Sequence, residues 1–206
     1  MPDHGYLHGL RFLIIDDSSF MRELLREVLH HFDVRTIREA SDGAAALEIM
    51  MAWTPDIILA DWEMTPFDGI EFTRAVRSST RGEERFVPIV VVSAHSEYWR
   101  IQHARNAGVN EFLVKPLSPT AMFSRIRAVI ERPRPFIKVS GYFGPDRRRQ
   151  DINISDDRRK EQRDMAPIRA ETMIQQDQIN SIFNPGSEHP DDQHAQVVEN
   201  KTAPIT

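Results

Sequence analysis

The sequence predicts an α/β fold, a doubly wound parallel sheet of five strands with five helices packed on its two faces. Two observations carry this prediction. Short apolar runs alternate with helical apolar patterns between residues 8 and 132, and four of the five runs end in a polar side chain. Continuous apolar runs are typical of strands buried on both faces, and their alternation with helices implies parallel strands joined by right-handed crossovers.

Each predicted strand is a short apolar run. The runs cover residues 11–15, 34–37, 57–61, 88–92 and 112–114. The third run is the one around which the chain is organised, because it stays apolar until it ends in Asp61 and a turn follows at Thr65-Pro66. We therefore expect this strand to be buried on both faces and to present a carboxylate at the C-terminal edge of the sheet.

The helices are predicted from apolar spacing and from residues that begin or end helices. In the first helix, apolar residues from Phe20 to Leu29 recur at helical spacing, and Ser18 or Ser19 is suited to cap it. The other predicted helices cover residues 44–51, 70–76, 101–107 and 122–130. Gly108 is suited to end the fourth helix because glycine adopts the left-handed conformation readily.

Composition limits the classes of function. The chain has 206 residues, no cysteine and a net charge of −5. Without cysteine there are neither disulfides nor thiolate metal sites, which fits a reducing compartment, and we expect a cytoplasmic protein without a membrane segment. The acidic balance argues against general coating of nucleic acid. The composition changes near Pro133, so we expect a domain over residues 8–132 and a largely irregular C-terminal extension over residues 133–206.

Polar residues at the strand ends form a candidate site. They are Asp16, Asp17, Asp61, Ser93 and Lys115. In a doubly wound sheet these ends lie on one edge, so the groups converge across a cleft. Three close carboxylates repel one another unless a cation lies between them, and ligands that are all oxygen suit Mg²⁺. A lysine and a hydroxyl beside the metal suit phosphoryl transfer, with Asp61 as the candidate nucleophile.

The same residues resemble the receiver domains of bacterial two-component response regulators. The matching motifs are Asp16-Asp17, Asp61 with Met64 and Asp68-Gly69, Ser93-Ala94, and Lys115-Pro116. The resemblance covers roughly residues 10–131 and implies a flavodoxin-like sheet with strand order 2-1-3-4-5. It also implies that the protein is a phosphoacceptor rather than an enzyme, one that assists its own phosphorylation and dephosphorylation.

The resemblance assigns a role to each motif residue. Asp61 is the expected phosphoacceptor, supplied by a histidine kinase or a histidine phosphotransfer protein. The expected Mg²⁺ ligands are Asp16, Asp17, Asp61 and the backbone carbonyl of Glu63. Ser93 and Lys115 are expected to bind the phosphoryl oxygens.

Three further positions are expected to regulate the signal. Phe112 occupies the aromatic switch position of the family, although it lacks the hydroxyl that a tyrosine would bring there. Glu63 and His95 fall where the family tunes hydrolysis of the phosphoryl group, and we expect them to set its lifetime by positioning or excluding water. In place of the family's common Met-Pro, Thr65 separates Met64 from Pro66.

Other interpretations of the motifs stay open. Residues 61–65 are also similar to the nucleophile motif of haloacid-dehalogenase-type phosphohydrolases, but that family requires Asp where this chain has Glu63. The expected output is contact with a downstream protein, and homodimers are expected through the fourth helix, fifth strand and fifth helix. In the competing interpretation, the basic clusters at residues 147–149 and 158–160 bind nucleic acid; interleaved acids make this the weaker one.

The extension carries several local predictions. Apolar residues between Phe136 and Phe143 are expected to lie over the domain as an extended arm. Ser155 is suited to cap a helix, and residues 184–206 have the polar composition of disorder. A short amphipathic docking helix is predicted from Ile168, Thr172, Ile179, Ile182 and Phe183.

Overall fold

A five-stranded parallel sheet forms the centre of the molecule. The computed structural model describes residues 5–80, 82–139, 141–147 and 173–183. The strands are β1 (Arg11–Ile15), β2 (Thr36–Ala40), β3 (Ile57–Asp61), β4 (Ile89–Ser93) and β5 (Glu111–Val114), paired in parallel in the order β2-β1-β3-β4-β5. The predicted fold and strand order are confirmed.

Five helices, each following one strand of the sheet, cover both of its faces. They are α1 (Ser19–His31), α2 (Gly43–Ala52), α3 (Gly69–Ser78), α4 (Tyr98–Ala107) and α5 (Pro119–Glu131). Short 3₁₀ turns occupy Gly5–Leu7 and Glu83–Phe86. Ser18 caps α1 by accepting the N–H of Met21, and Asp68 forms a full capping box with Glu71 at the start of α3. The latter box fixes the helix that begins eight residues after Asp61.

The core has one layer on each face of the sheet, because alternate strand residues point to opposite faces. Leu13 and Ile58 belong to the layer that contains Phe72 of α3. Phe12 and Leu59 belong to the layer beneath α1 and α5. All of these side chains are fully buried, so the central strands are apolar on both sides, as the continuous runs indicate.

The differences from the sequence prediction include two boundaries and the exposure of Phe20. β2 lies at Thr36–Ala40 rather than at residues 34–37, because Val34 is buried in the connection from α1 instead of in the strand. β2 is an edge strand, so several of its side chains face water and its pattern is weakly apolar. α4 begins at Tyr98, three residues before the predicted start. In α1, Phe20 is 70% exposed despite its helical spacing.

The extension contributes a β-hairpin and a sixth helix. The hairpin pairs β6 (Phe136–Val139) with β7 (Tyr142–Pro145), and the chain turns at Gly141 with φ of 74°. The arm predicted here is therefore folded back on itself. The rings of Phe86, Phe136 and Phe143 pack with centroids 5.2–5.5 Å apart, which attaches the hairpin to the domain.

The sixth helix, α6 (Gln176–Phe183), includes the predicted docking positions Ile179, Ile182 and Phe183. Ile168 and Thr172 lie outside the described residues. So do the helix predicted from Ser155, residues 148–149 of the first basic cluster, the cluster at 158–160 and the predicted disorder at 184–206. Among the described helices, none is long and apolar enough to cross a bilayer.

Candidate functional site

Three carboxylates meet at the C-terminal edge of the sheet, where β1 and β3 lie side by side. Asp16 directly follows β1, Asp17 is next, and Asp61 is the last residue of β3. Each offers an oxygen within 4.8 Å of the other two. Asp16 is 1% and Asp61 8% exposed, whereas Asp17 faces solvent. The cluster therefore has a buried floor and one open side, a donor set of oxygens alone that suits Mg²⁺ with bound water.

Lys115 brings a positive charge into this cluster from β5. Its Nζ lies 3.1 Å from Asp61 Oδ1 and 3.5 Å from Asp16 Oδ2. The backbone holds the lysine in place, because its N–H donates to the carbonyl of Ser93 at 2.8 Å. The ends of β4 and β5 are thus joined at the site, and Lys115 pairs with two of the three acids.

The surroundings of Asp61 raise its pKa. Burial raises its pKa to about 6; Lys115 opposes this shift and the charge of Asp16 adds to it. Among the described residues, the hydrogen bonds to this carboxylate, from Lys115 and from the N–H of Trp62, both end on Oδ1. Oδ2 is consequently the oxygen left to react.

Gly69 allows α3 to approach Asp61 closely. Its N–H donates to the carbonyl of Trp62 at 3.1 Å. A Cβ at this position would lie 2.1 Å from the Asp61 carbonyl oxygen, a distance that backbone atoms do not tolerate. The glycine of the Asp68-Gly69 motif is therefore required by packing against the phosphoacceptor candidate.

Ser93 and His95 line the side of the site formed by β4. Ser93 is 1% exposed, and its Oγ accepts the N–H of His95 at 3.1 Å. His95 Nε2 lies 3.2 Å from Glu63 Oε1, and Arg100 donates to that same oxygen at 3.0 Å. The two positions predicted to tune hydrolysis therefore contact each other and connect the loop after β3 to α4.

Phe112 lies within the core instead of in the cleft. It is fully buried in β5, with its ring edge-on to Trp62 at 6.2 Å and stacked on Phe183 at 6.4 Å. The predicted switch residue thus contacts both the residue after Asp61 and the C-terminal helix.

Sequence reasoning missed three residues around the site. Glu97 lies 3.3 Å from His95 Nδ1, and Arg100 packs over the Trp62 ring at 5.4 Å. Gln176 of α6 bonds the backbone of β5. A glutamate just before a helix is a weak signal of a helix start, whereas a glutamine in a polar extension carries no such signal.

Comparisons with known proteins agree with this geometry. The family model for the response regulator receiver domain matches residues 12–127. Chemotaxis protein CheY of Pseudomonas aeruginosa is 32% identical over 123 residues, which are 60% of this chain and 98% of that protein. Chemotaxis protein CheY-3 of Vibrio cholerae is 28% identical over 124 residues, 60% of this chain and 94% of that protein.

A solved structure of a chemotaxis protein has a similar fold. The crystallised Vibrio cholerae chemotaxis protein CheY4 aligns with a TM-score of 0.55 and 26% identity, covering 59% of this chain and 98% of that one. The family match covers more than half of the chain and carries the clustered acids, Ser93 and Lys115. From its fold, its site and these similarities, the chain belongs to the response regulator receiver domain family.

Proposed function

We propose that the protein is a phosphoacceptor of a phosphorelay, in which Asp61 receives a phosphoryl group from a histidine kinase or a histidine phosphotransfer protein. The observation that carries the proposal is the convergence of Asp16, Asp17 and Lys115 on Asp61, which is almost fully buried. Residues 8–132 form the receiver in this proposal, and residues 133–206 form an extension of it.

The transfer step follows from the two oxygens of Asp61. Oδ2 attacks the phosphorus; the new P–O bond forms as the P–N bond to the donor imidazole breaks, and the imidazole nitrogen keeps the electron pair. Lys115 already contacts Oδ1, so it is placed to pair with a phosphoryl oxygen. Ser93 is placed to donate its hydroxyl to another once its Oγ turns from the N–H of His95.

The acids are suited to hold Mg²⁺. Asp16, Asp17 and Asp61 would supply carboxylate oxygens and Glu63 its backbone carbonyl, and the exposed side at Asp17 leaves room for water. When bound, the ion would neutralise the negative charge that accumulates as the phosphoryl group transfers.

The proposed output is contact with another protein. The receiver assists its own phosphorylation and dephosphorylation, and it signals by shifting between two conformations that a partner distinguishes. We propose a cytoplasmic location. We also propose that the protein does not bind nucleic acid, because acids are interleaved with the basic clusters of the extension.

Intact mass after treatment with acetyl phosphate tests the phosphoacceptor. Wild-type protein should gain one phosphoryl group only when Mg²⁺ is present, and Asp61→Asn should gain none. Asp177→Asn, a matched change at an exposed acid of α6, should behave like wild type. An adduct on Asp61→Asn, or no adduct on folded wild-type protein with either acetyl phosphate or a histidine donor, would contradict the proposal.

A further inference from the structure

Residues 173–183, which we call the docked segment, fill a groove between α4 and β5. Ile174 is 2% exposed, and Ile179 and Phe183 are fully buried. They join the core layer that contains Ile101 of α4 and Phe112 of β5. The guanidinium of Arg134 packs over the Phe183 ring at 5.6 Å. The domain therefore offers an apolar groove with three anchor positions, and its own chain occupies it.

The groove also recognises one polar side chain. β5 is the edge strand of the sheet, so its outer N–H and C=O groups have no strand partner. The amide of Gln176 supplies one: its Oε1 accepts the N–H of Val114 at 2.8 Å, and its Nε2 donates to the carbonyl of Phe112 at 2.9 Å. A side-chain amide has the same donor and acceptor as a peptide group, so Gln176 acts as a one-residue extension of the sheet.

The start of the docked segment bonds the loop between β4 and α4. The N–H of Ile174 donates to the carbonyl of Ser96 at 3.0 Å, and Met173 pairs with Glu97 as an antiparallel bridge. The docked segment thus contacts the domain first through a single β-bridge, then through the side chain of Gln176, and then through the helix α6. Its spacing is Ile, Gln two residues later, Ile three residues after that, and Phe four residues further on.

The docked segment is held by these contacts rather than by its own helix. α6 has 8 residues, and helices of that length are marginal in isolation. The apolar burial of three anchors is opposed by the conformational entropy lost in ordering the whole segment.

We propose that the docked segment is autoinhibitory: residues 173–183 keep the groove between α4 and β5 closed until a protein segment with the same spacing of Ile, Gln, Ile and Phe displaces them. A partner carrying such a segment binds by displacing residues 173–183. The docked segment also covers the part of the expected homodimer face that lies around the fourth helix and fifth strand.

Binding of a labelled synthetic peptide with the sequence of residues 173–183 to the full chain tests the proposal. Phe183→Asp places a charge in the groove, so it should release the docked segment and bind the peptide at least tenfold more tightly than wild type does. Gln176→Ala removes both bonds to β5 and should act in the same direction without a buried charge. Gln175→Ala, the same change at an exposed glutamine of the docked segment, should match wild type.

The peptide itself provides a second readout. A peptide with alanine in place of the glutamine corresponding to Gln176 should bind the Phe183→Asp chain at least tenfold more weakly, because it cannot pair with β5. Equal peptide affinity for wild type and both release variants, or no binding to either release variant while circular dichroism shows them folded, would overturn the proposal. No phosphodonor is needed, so the result is independent of whether Asp61 is phosphorylated.

Discussion

The surroundings of Asp61 disfavour the charged form of its carboxyl group when no metal is bound. Burial raises its pKa to about 6 from 3.8, and Asp16 lies beside it. A carboxyl whose pKa is raised on folding stabilises the protein below its unfolded pKa. That contribution is lost as the pH rises through the folded pKa, here between about 4 and 6.

Asp61→Asn is therefore expected to stabilise the metal-free protein. In EDTA at pH 7.5 we expect a gain of about 1 kcal/mol in the free energy of unfolding, and a smaller gain at pH 4.5, where Asp61 is itself largely protonated. Urea unfolding at the two pH values measures both. Glu48→Gln, at an exposed acid of α2, should give no gain; an equal gain for Asp61→Asn at both pH values would contradict this explanation.

Glu63 and His95 connect the loop after β3 to the loop after β4 beside Asp61. Arg100 also donates to Glu63, so these contacts hold the Glu63 side chain beside the cleft. We expect Glu63→Ala and His95→Ala each to admit water and to speed loss of the phosphoryl group, on the order of threefold. The decay of the phosphorylated mass after removal of the donor measures this rate. Unchanged decay in both variants, with Glu48→Ala as control, would show that the contact does not control water.

Arg77 connects α3 to two neighbouring turns through buried hydrogen bonds. It is 3% exposed, and it donates to the carbonyls of Gly108, Arg85 and Val87 and to Oδ1 of Asn110. Burial lowers its pKa to about 9, so it remains charged at neutral pH. One side chain of α3 thus joins the turn before β4 to the turn before β5.

Arg77→Met is expected to destabilise the protein strongly. It leaves buried acceptors without their donor, and we expect a loss of about 3 kcal/mol in the free energy of unfolding. Arg74→Met is the matched change on the same helix at an exposed position, where we expect no more than about 0.5 kcal/mol. Urea denaturation compares the two; similar losses would mean that the bonds of Arg77 contribute little.

The elements that sequence predicts well are those with strong local signals. β3 and β4 are buried on both faces, so their apolar runs predict them directly. The hairpin also has a local signal, because Ser140-Gly141 separates two apolar runs and such pairs mark turns. The position of Arg77 was not predictable, since an arginine within a helical pattern ordinarily faces solvent.

The same distinction applies to the site. Asp16, Asp17, Asp61 and Lys115 were predictable as a group because parallel strands end at one edge. The pairing of Gln176 with β5 was not, because it joins residues 62 positions apart through a side-chain amide. Local sequence periodicity cannot predict a contact of this kind.

The docked segment and the proposed phosphoacceptor site both contact the loop after β4. Ser96 and Glu97 bond the docked segment, and Ser93 lies three residues before Ser96. If Ser93 turns toward a phosphoryl group on Asp61, this loop moves with it and the bonds to Ile174 weaken.

Phosphorylation is accordingly expected to loosen residues 173–183. Hydrogen exchange followed by mass spectrometry should show faster exchange of this segment after acetyl phosphate and Mg²⁺, by about threefold or more, since the bonded N–H of Ile174 loses its acceptor. Asp61→Asn treated identically is the control. Unchanged exchange in a sample whose mass proves phosphorylation would separate the docked segment from the phosphoryl signal.

Because the docked segment belongs to the same chain, its effective concentration at the groove is high. Tethered ligands of this kind reach roughly millimolar values. A partner present at micromolar concentration must therefore bind the open groove about a thousandfold more tightly than the docked segment does, or hold the protein at a second place. The covalent attachment of Gln176 and Phe183 thus sets an affinity threshold that excludes weak competitors and admits strong or multivalent ones.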